Sequence, residues 1–319
     1  MTTAANLTPA QTAQALPYPA LAQAIEALLQ DPSVQVPPRI VQPLAGGGKL
    51  LVMPAADGRL AITKLITFVA HNLARGLPAI QGDIVVFDAD TGTRIATVDG
   101  PTVTARRTAA VSLLAAQKLA PRTDGPLLIV GAGVQGRSHL EAFHYGLGVQ
   151  EFWIASRTPA SADTLVAHAH SLGLKARRVD DPNAVLADCP LIVSATSAQT
   201  VALDAQPSHD AYIAAVGAFT PQMVEWAAPV CQAIHAQGTM VVDTRDADHE
   251  AGDLLQAGID VAQLPNLADL INHTPLWAQQ SKHQNHSQGP VFFKSCGWAG
   301  WDLAAARCIV HSATMPTNP

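Results

Sequence analysis

The spacing of apolar positions changes character twice along the chain. Residues 19–30, PALAQAIEALLQ, place Leu21, Ile25, Leu28 and Leu29 at helical intervals, and Pro32 with the Pro37-Pro38 pair closes that helix. The next stretch is extended. Lys49–Pro54 and Leu60–Phe68 read as strands joined by the turn Ala55-Ala56-Asp57-Gly58, and Asp83–Asp88 and Thr93–Val98 as a second pair joined by Ala89-Asp90-Thr91-Gly92. Residues 35–98 are therefore expected to form an antiparallel meander. From Pro101 the pattern is helical up to Pro121. Beyond it, short apolar strands at Leu127–Val130, Phe152–Ala155, Leu191–Ala195, Tyr212–Val216 and Met240–Asp243, with a more polar one at Lys175–Val179, alternate with helices such as 160–172. Strands of this kind are buried on both faces of a parallel sheet. The expected fold class is α/β, with a doubly wound parallel sheet at about 120–290 and an N-terminal α+β domain. The tail FKSCGWAGWDLAAARCIV reads as one helix packing back on the N-terminal part, and 279–289 as a polar loop.

Composition narrows the function. Of 319 residues, 48% are apolar and 14% charged, which suits a packed core and excludes a solvated, disordered chain. Lys and Arg number 19 against 25 Asp and Glu, and no basic run occurs, so nucleic acid is not an expected partner. No apolar run approaches the roughly 20 residues that span a bilayer. The first fifteen residues contain neither Lys nor Arg and no long apolar run, so no membrane and no secretory signal are expected, and the reading is cytoplasmic. Cys189, Cys231, Cys296 and Cys308 form no C-x-x-C pair. His283 and His286 sit in the polar loop without a third ligand, so no metal is expected.

Gly131-Ala132-Gly133-Val134-Gln135-Gly136 matches G-x-G-x-x-G between an apolar strand and a helix, the context that separates a dinucleotide fingerprint from an ordinary glycine-rich turn. Gly131 permits the tight turn, Gly133 the approach of a pyrophosphate, and Gly136 close helix–strand packing, with the pyrophosphate on the helix N-terminus. After the next strand, where an acid would select NAD, stands Ser156-Arg157-Thr158. Arg157 can pair with a 2′-phosphate and the two hydroxyls can donate to it, which favours NADPH and leaves NADH as a second cofactor. The alternative is a solvated Arg157 and NAD bound without the usual acid. Thr196, in Ser194-Ala195-Thr196-Ser197, and Val216-Gly217 follow later strands and suit the cofactor crevice; loop-turn chemistry is the plainer reading of each.

Taken together, the chain resembles the ornithine cyclodeaminase/mu-crystallin family. The likeness rests on Pro37-Pro38-Arg39, the strand bearing Lys64, Ala74-Arg75-Gly76-Leu77-Pro78, Thr104-Ala105-Arg106-Arg107-Thr108-Ala109-Ala110, Gly131–Gln135, Ser194–Ser197 and Phe293-Lys294-Ser295-Cys296-Gly297, in that order. The resemblance implies a homodimer built from a substrate-binding and dimerisation domain (1–118 with 292–319) and a Rossmann NAD(P)-binding domain (119–291). It implies one of several activities: ammonia-releasing cyclisation of ornithine, amino-acid dehydrogenation, reduction of cyclic ketimines, or ligand binding of the crystallin type. Cyclodeaminases carry a catalytic Asp after the strand ending in Val-Gly. Here Phe219 takes that position, and a phenyl ring cannot accept a proton. Ala79 replaces the Thr of the family's Gly-Leu-Pro-Thr. The compact segment PPRIVQPLAGGGKLLVMPAAD resembles members that reduce a cyclic imino acid, Δ1-pyrroline-2-carboxylate or its six-membered homologue.

That reaction needs a grip on a carboxylate, a hydride donor and a proton for nitrogen. Arg39, after two prolines, is the first expected anchor, through bidentate pairing; the alternative is a surface residue after a proline turn. Alternation places Lys64 between Ile62 and Ile66 on an apolar face, where it either snorkels or is a desolvated functional amine. The resemblance points to carboxylate contact and proton donation. Neighbouring helical residues diverge by about 100°, so Arg106 and Arg107 cannot serve one site equally; the resemblance implies that Arg107 contacts the substrate carboxylate or cofactor and that Arg106 lies at a surface or interface. The resemblance also places Ser295 near the nicotinamide.

Overall fold

The computed structural model describes residues 4–197, 199–272 and 289–314, without the side chains of Leu73, Ala313 and Thr314. His283 and His286 lie outside these residues. The described chain divides into two compact units, one running to Arg107 and resuming at Trp298, the other spanning 108–297. The boundaries expected from sequence were 118/119 and 291/292.

The first unit is built on a six-stranded sheet in the order β1-β6-β5-β4-β3-β2. Its strands are β1 (Ala5–Leu7), β2 (Ile40–Pro43), β3 (Lys49–Ala56), β4 (Leu60–Phe68), β5 (Ile80–Asp88) and β6 (Arg94–Asp99). From β2 to β6 the pairing is the expected antiparallel meander. The edge strand β1, which pairs parallel with β6, has no period long enough to be read locally. Along β4, Leu60, Ile62, Lys64 and Ile66 are all buried, as strict alternation requires of one covered face. Helices α1 (Pro9–Gln14), α2 (Tyr18–Leu29) and α9 (Ala299–Thr314) complete the unit, with α9 packed on α2, β3 and β4.

The second unit holds a seven-stranded, wholly parallel sheet in the order β12-β13-β11-β10-β7-β8-β9. Its strands are β7 (Leu127–Val130), β8 (Glu151–Ala155), β9 (Lys175–Arg178), β10 (Leu191–Ser194), β11 (Tyr212–Ala215), β12 (Thr239–Val242) and β13 (Val291–Lys294). β7 and β10 to β12 each carry the apolar run expected of buried parallel strands, and Trp226 packs edge-on against Phe292 at 5.6 Å in the core. Helices α4 (Val134–Leu147), α5 (Pro159–Ser171), α6 (Ala228–Gln237), α7 (Gly252–Gln256) and α8 (Leu267–Asn272) belong here, and α3 (Gly100–Leu119) contributes residues to both units.

One expectation is overturned. The tail is not a single helix: Phe293 and Lys294 end β13, inserted between β11 and β12, and the helix starts only at Ala299. Pairing on both sides with strands distant in sequence outweighs the local helical reading. Among the described residues no helix is long and apolar enough to cross a membrane.

Candidate active site

In the second unit the chain runs from β7 outward to β8 and β9, then returns to β10 on the other side of β7. Strand order therefore reverses between β7 and β10, the position at which such sheets take ligands beyond their carboxyl ends. Gly131 leaves β7 at φ +113°, and a Cβ there would stand 2.5 Å from the Ala195 carbonyl oxygen, so only glycine lets the two loops approach. Gly136 is equally constrained: its Cβ would fall 2.0 Å from the Gly131 carbonyl oxygen. At Gly133 a Cβ would meet nothing within 4 Å; it would project into open space at the N-cap of α4. No side chain caps that helix, so its first N–H groups and positive dipole end remain available to an anion. Val134 is 70% exposed, and Gln135 Oε1 is buried without a hydrogen-bond partner. A glycine cradle, an uncapped helix start and an orphaned acceptor fit a dinucleotide.

Arg157 and Thr158 are exposed after β8, and Ser156 is half-buried. Thr158 Oγ1 lies 2.7 Å from Ser161 Oγ as α5 begins. The later loops are tied together by a residue that sequence reasoning missed, Glu225. Its Oε1 accepts from the Thr196 N–H at 2.7 Å, and its Oε2 from the Gly217 N–H at 2.8 Å and Ser194 Oγ at 3.0 Å. Burial pushes the Glu225 carboxyl upward, against the attraction of Lys294 and the hydrogen bond from Thr196. Val216 is buried beside Gly217, and Phe219 follows, 38% exposed. Ser295 is buried and donates to Asp243 Oδ2 at 2.8 Å, an oxygen that also accepts from the Cys296 and Gly297 N–H groups.

The first unit gathers a cluster of charge on one buried carboxylate. Asp302, in the first turn of α9, is fully buried; its Oδ2 lies 2.6 Å from Lys64 Nζ, and its Oδ1 lies 3.4 Å from Arg107 Nε. Lys64 is 1% exposed, so the snorkelling reading fails. Burial pulls its pKa down from 10.5 to about 8; Asp302 acts to raise it, while Arg107 and Arg39 push it further down. Arg107 and Arg39 thus both act on Lys64. The carboxylate facing Lys64 and Arg107 is outside the sequence reading, although a lone acid among the apolar residues of AGWDLAAA is its signal. Arg106 is half-buried: it lies 3.9 Å over the Tyr18 ring and donates from Nε to the Leu16 carbonyl, pinning α3 to the turn before α2. Among the described residues no group of three His, Cys, Asp or Glu could hold a metal ion.

The profile of the ornithine cyclodeaminase/mu-crystallin family matches residues 7–316. Delta(1)-pyrroline-2-carboxylate reductase 1 of Burkholderia multivorans is 37% identical over 303 residues, covering 93% of this chain and 92% of its own. Delta(1)-pyrroline-2-carboxylate/Delta(1)-piperideine-2-carboxylate reductase of Azospirillum brasilense is 34% identical over 303 residues, with the same coverage. Among solved structures, the Delta(1)-pyrroline-2-carboxylate reductase of Thermococcus litoralis, in complex with NADH and L-proline, superposes with a TM-score of 0.81 at 22% identity, over 98% of this chain and 97% of that one. Fold, motif order and these likenesses agree: the chain belongs to the ornithine cyclodeaminase/mu-crystallin family.

Proposed function

We propose that the protein is an NAD(P)H-dependent ketimine reductase that converts Δ1-pyrroline-2-carboxylate to L-proline and takes the six-membered Δ1-piperideine-2-carboxylate to L-pipecolate. The observation that carries this reading is the buried amine of Lys64, paired with Asp302 at 2.6 Å and pulled down to about 8 by burial and by the charges of Arg107 and Arg39. Its relatives act on the same substrates by name, and Phe219 stands where a cyclodeaminase needs an acid.

A nicotinamide cofactor supplies the hydride that reaches the imine carbon. Gly131, Gly133, Val134, Gln135 and Gly136 hold its pyrophosphate, through N–H groups that no side chain caps. Ser156, Arg157 and Thr158 take the ribose 2′-phosphate, which makes NADPH the preferred donor and NADH the second. Thr196, Val216, Gly217 and Ser295 line the nicotinamide half. Arg39 and Arg107 hold the substrate carboxylate; an anion entering a dry site needs such partners, because an unpaired buried charge is prohibitive. Lys64 gives a proton from Nζ to the imine nitrogen, and its pKa of about 8 matches the range in which a general acid works best.

The protein acts as a homodimer through the outer face of the first unit's sheet. Ile40 on edge strand β2 aligns with Val52, which aligns with Leu65, and Ile40 and Leu65 are 60% and 46% exposed. An apolar row at a sheet edge invites pairing with a second copy. Sedimentation at micromolar concentration should give twice the chain mass.

The activity is tested by following NADPH and NADH oxidation with cyclic imino acids, with linear 2-oxo acids plus ammonia, and with ornithine. Oxidation with the cyclic imino acids, forming proline and pipecolate, is expected. Ammonia release from ornithine at a comparable rate would overturn the assignment.

A further inference from the structure

Asp302 has no role in the reaction as proposed so far, yet its carboxylate faces both Lys64 and Arg107. Its carboxylate is fully buried, faces the ammonium of Lys64 through Oδ2 at 2.6 Å, and faces Arg107 Nε through Oδ1 at 3.4 Å. The groups that act electrostatically on Lys64 come from three segments: Asp302 on α9, Arg107 on α3, and Arg39 before β2. Its strand partners Met53 and Ile84 do not titrate. We propose that Asp302 is the positioning residue of the proton donor: one buried carboxylate that fixes Lys64 beside Arg107 and keeps the amine charged until the imine nitrogen takes its proton. This rests on the reading of Lys64 as that donor.

The argument is one of charge. Without Asp302, the three cations would lose the attraction that opposes the push of Arg107 and Arg39 on Lys64. Two are guanidinium groups, which do not deprotonate in proteins, so the whole adjustment falls on Lys64. Burial already lowers its pKa, and Asp302 is the leading influence that raises it. In the reaction an Nζ–H bond breaks as an N–H bond forms on the substrate. The imine π electrons become the nitrogen's bonding pair as hydride bonds to carbon, and the neutral amine regains a proton from solvent. An amine that is neutral beforehand cannot begin that sequence.

The test compares pH profiles of kcat/KM for the wild type, Asp302→Asn, Asp302→Glu and Lys64→Met. The wild type should lose activity as pH rises through about 8. Asp302→Asn keeps the shape and removes the charge. Its limb should move at least one pH unit lower, with activity down about threefold or more at pH 7.5, roughly tenfold at pH 9 and above, and recovered at pH 6, one unit being a factor of ten in the protonated fraction only above both pKa values. NADPH affinity, read by nucleotide fluorescence, should stay unchanged, which a global folding defect would not allow. Asp302→Glu keeps the charge but displaces it, so the limb should remain near its wild-type position while kcat falls; this arm serves if the Asn variant does not fold. An unmoved limb in Asp302→Asn, or a Glu variant with wild-type kcat, overturns the positioning role. Near-normal turnover by Lys64→Met overturns the donor reading instead, so the two failures are distinguishable.

Discussion

Each unit buries one lysine against one aspartate at the same 2.6 Å, yet the two amines are driven in opposite directions. Lys64 faces Asp302 in the first unit, and Lys294 faces Asp253 in the second; all four side chains are essentially inaccessible. Burial favours the neutral form of both. Around Lys64 two arginines add to that effect, and the pKa falls to about 8. Around Lys294 the attraction of Asp253 and Glu225 outweighs burial, and the pKa rises above the ordinary value of 10.5. The remaining contacts follow the same division. Asp253 Oδ1 accepts from the Glu225 and Trp226 N–H groups at 2.6 and 3.0 Å, so Lys294 is embedded in a network that joins several elements of the sheet's carboxyl edge. Asp302 faces two cations, Lys64 and Arg107. Pair geometry alone does not say whether a buried lysine is chemical or architectural; the charges around the pair decide it.

The sharpest way to break this comparison is to remove each amine in turn. Lys294→Met leaves Asp253 buried with an uncompensated charge, and breaking such a pair costs about 3–5 kcal/mol. A large fall in the urea midpoint is expected, and any surviving folded protein should turn over at close to the normal rate. Retained stability would show that the second unit does not depend on the pair.

Lys64→Met should do the reverse. The thioether chain keeps the apolar packing of the stem, and replacing an amine crowded by two arginines costs little stability. Turnover should fall about a hundredfold or more, the scale of a positioned acid, with NADPH binding retained. A loss of stability comparable to that of Lys294→Met would erase the distinction.

A smaller effect locates cofactor choice away from both lysines. Arg157→Ala should weaken NADPH use about tenfold or more, through loss of a charge-assisted phosphate contact, and leave NADH use nearly unchanged. Steady-state KM values for the two cofactors decide this; equal effects on both would remove Arg157 from the 2′-phosphate site.

What was legible in the sequence follows the range of the interactions. Period-2 alternation along β4 placed Lys64 on a covered face, and the strand–glycine–helix grammar located Gly131 to Gly136, because both signals are local. The partners were not legible. Asp302 lies 238 positions from Lys64, and nothing near either residue announces the other. Glu225 joins the loops after β10 and β11 through backbone N–H groups, which no side-chain motif records. Phe293 and Lys294 read locally as part of the tail helix because the strand VFFK is only four residues long. Its place between β11 and β12 is fixed by neighbours roughly 50 to 80 residues earlier, a distance over which periodicity carries no information.

The least effect separates the two lysines by the sign of their contribution to stability as pH changes. Between about 8 and 10.5, Lys64 is neutral in the folded protein and charged in the unfolded chain. The unfolded state then binds one more proton, so this group makes stability rise with pH, by at most about 1.4 kcal/mol per unit. Read downward, that contribution is lost as pH falls from 10.5 through 8. Lys294 has the opposite linkage: its folded pKa lies above 10.5, so its contribution is complete below that value and is lost only as pH rises past it. Within the window it contributes no slope. Urea unfolding at pH 8, 9 and 10 should therefore show wild type gaining on Lys64→Met by about 1 kcal/mol per pH unit, whereas the gap between wild type and Lys294→Met stays constant. Cysteines and tyrosines titrate in the same range, but they are common to each pair and cancel in the difference. A constant gap for Lys64→Met would mean that Asp302 offsets burial and both arginines completely, leaving Lys64 with the ordinary basicity of a lysine and no advantage as an acid at neutral pH.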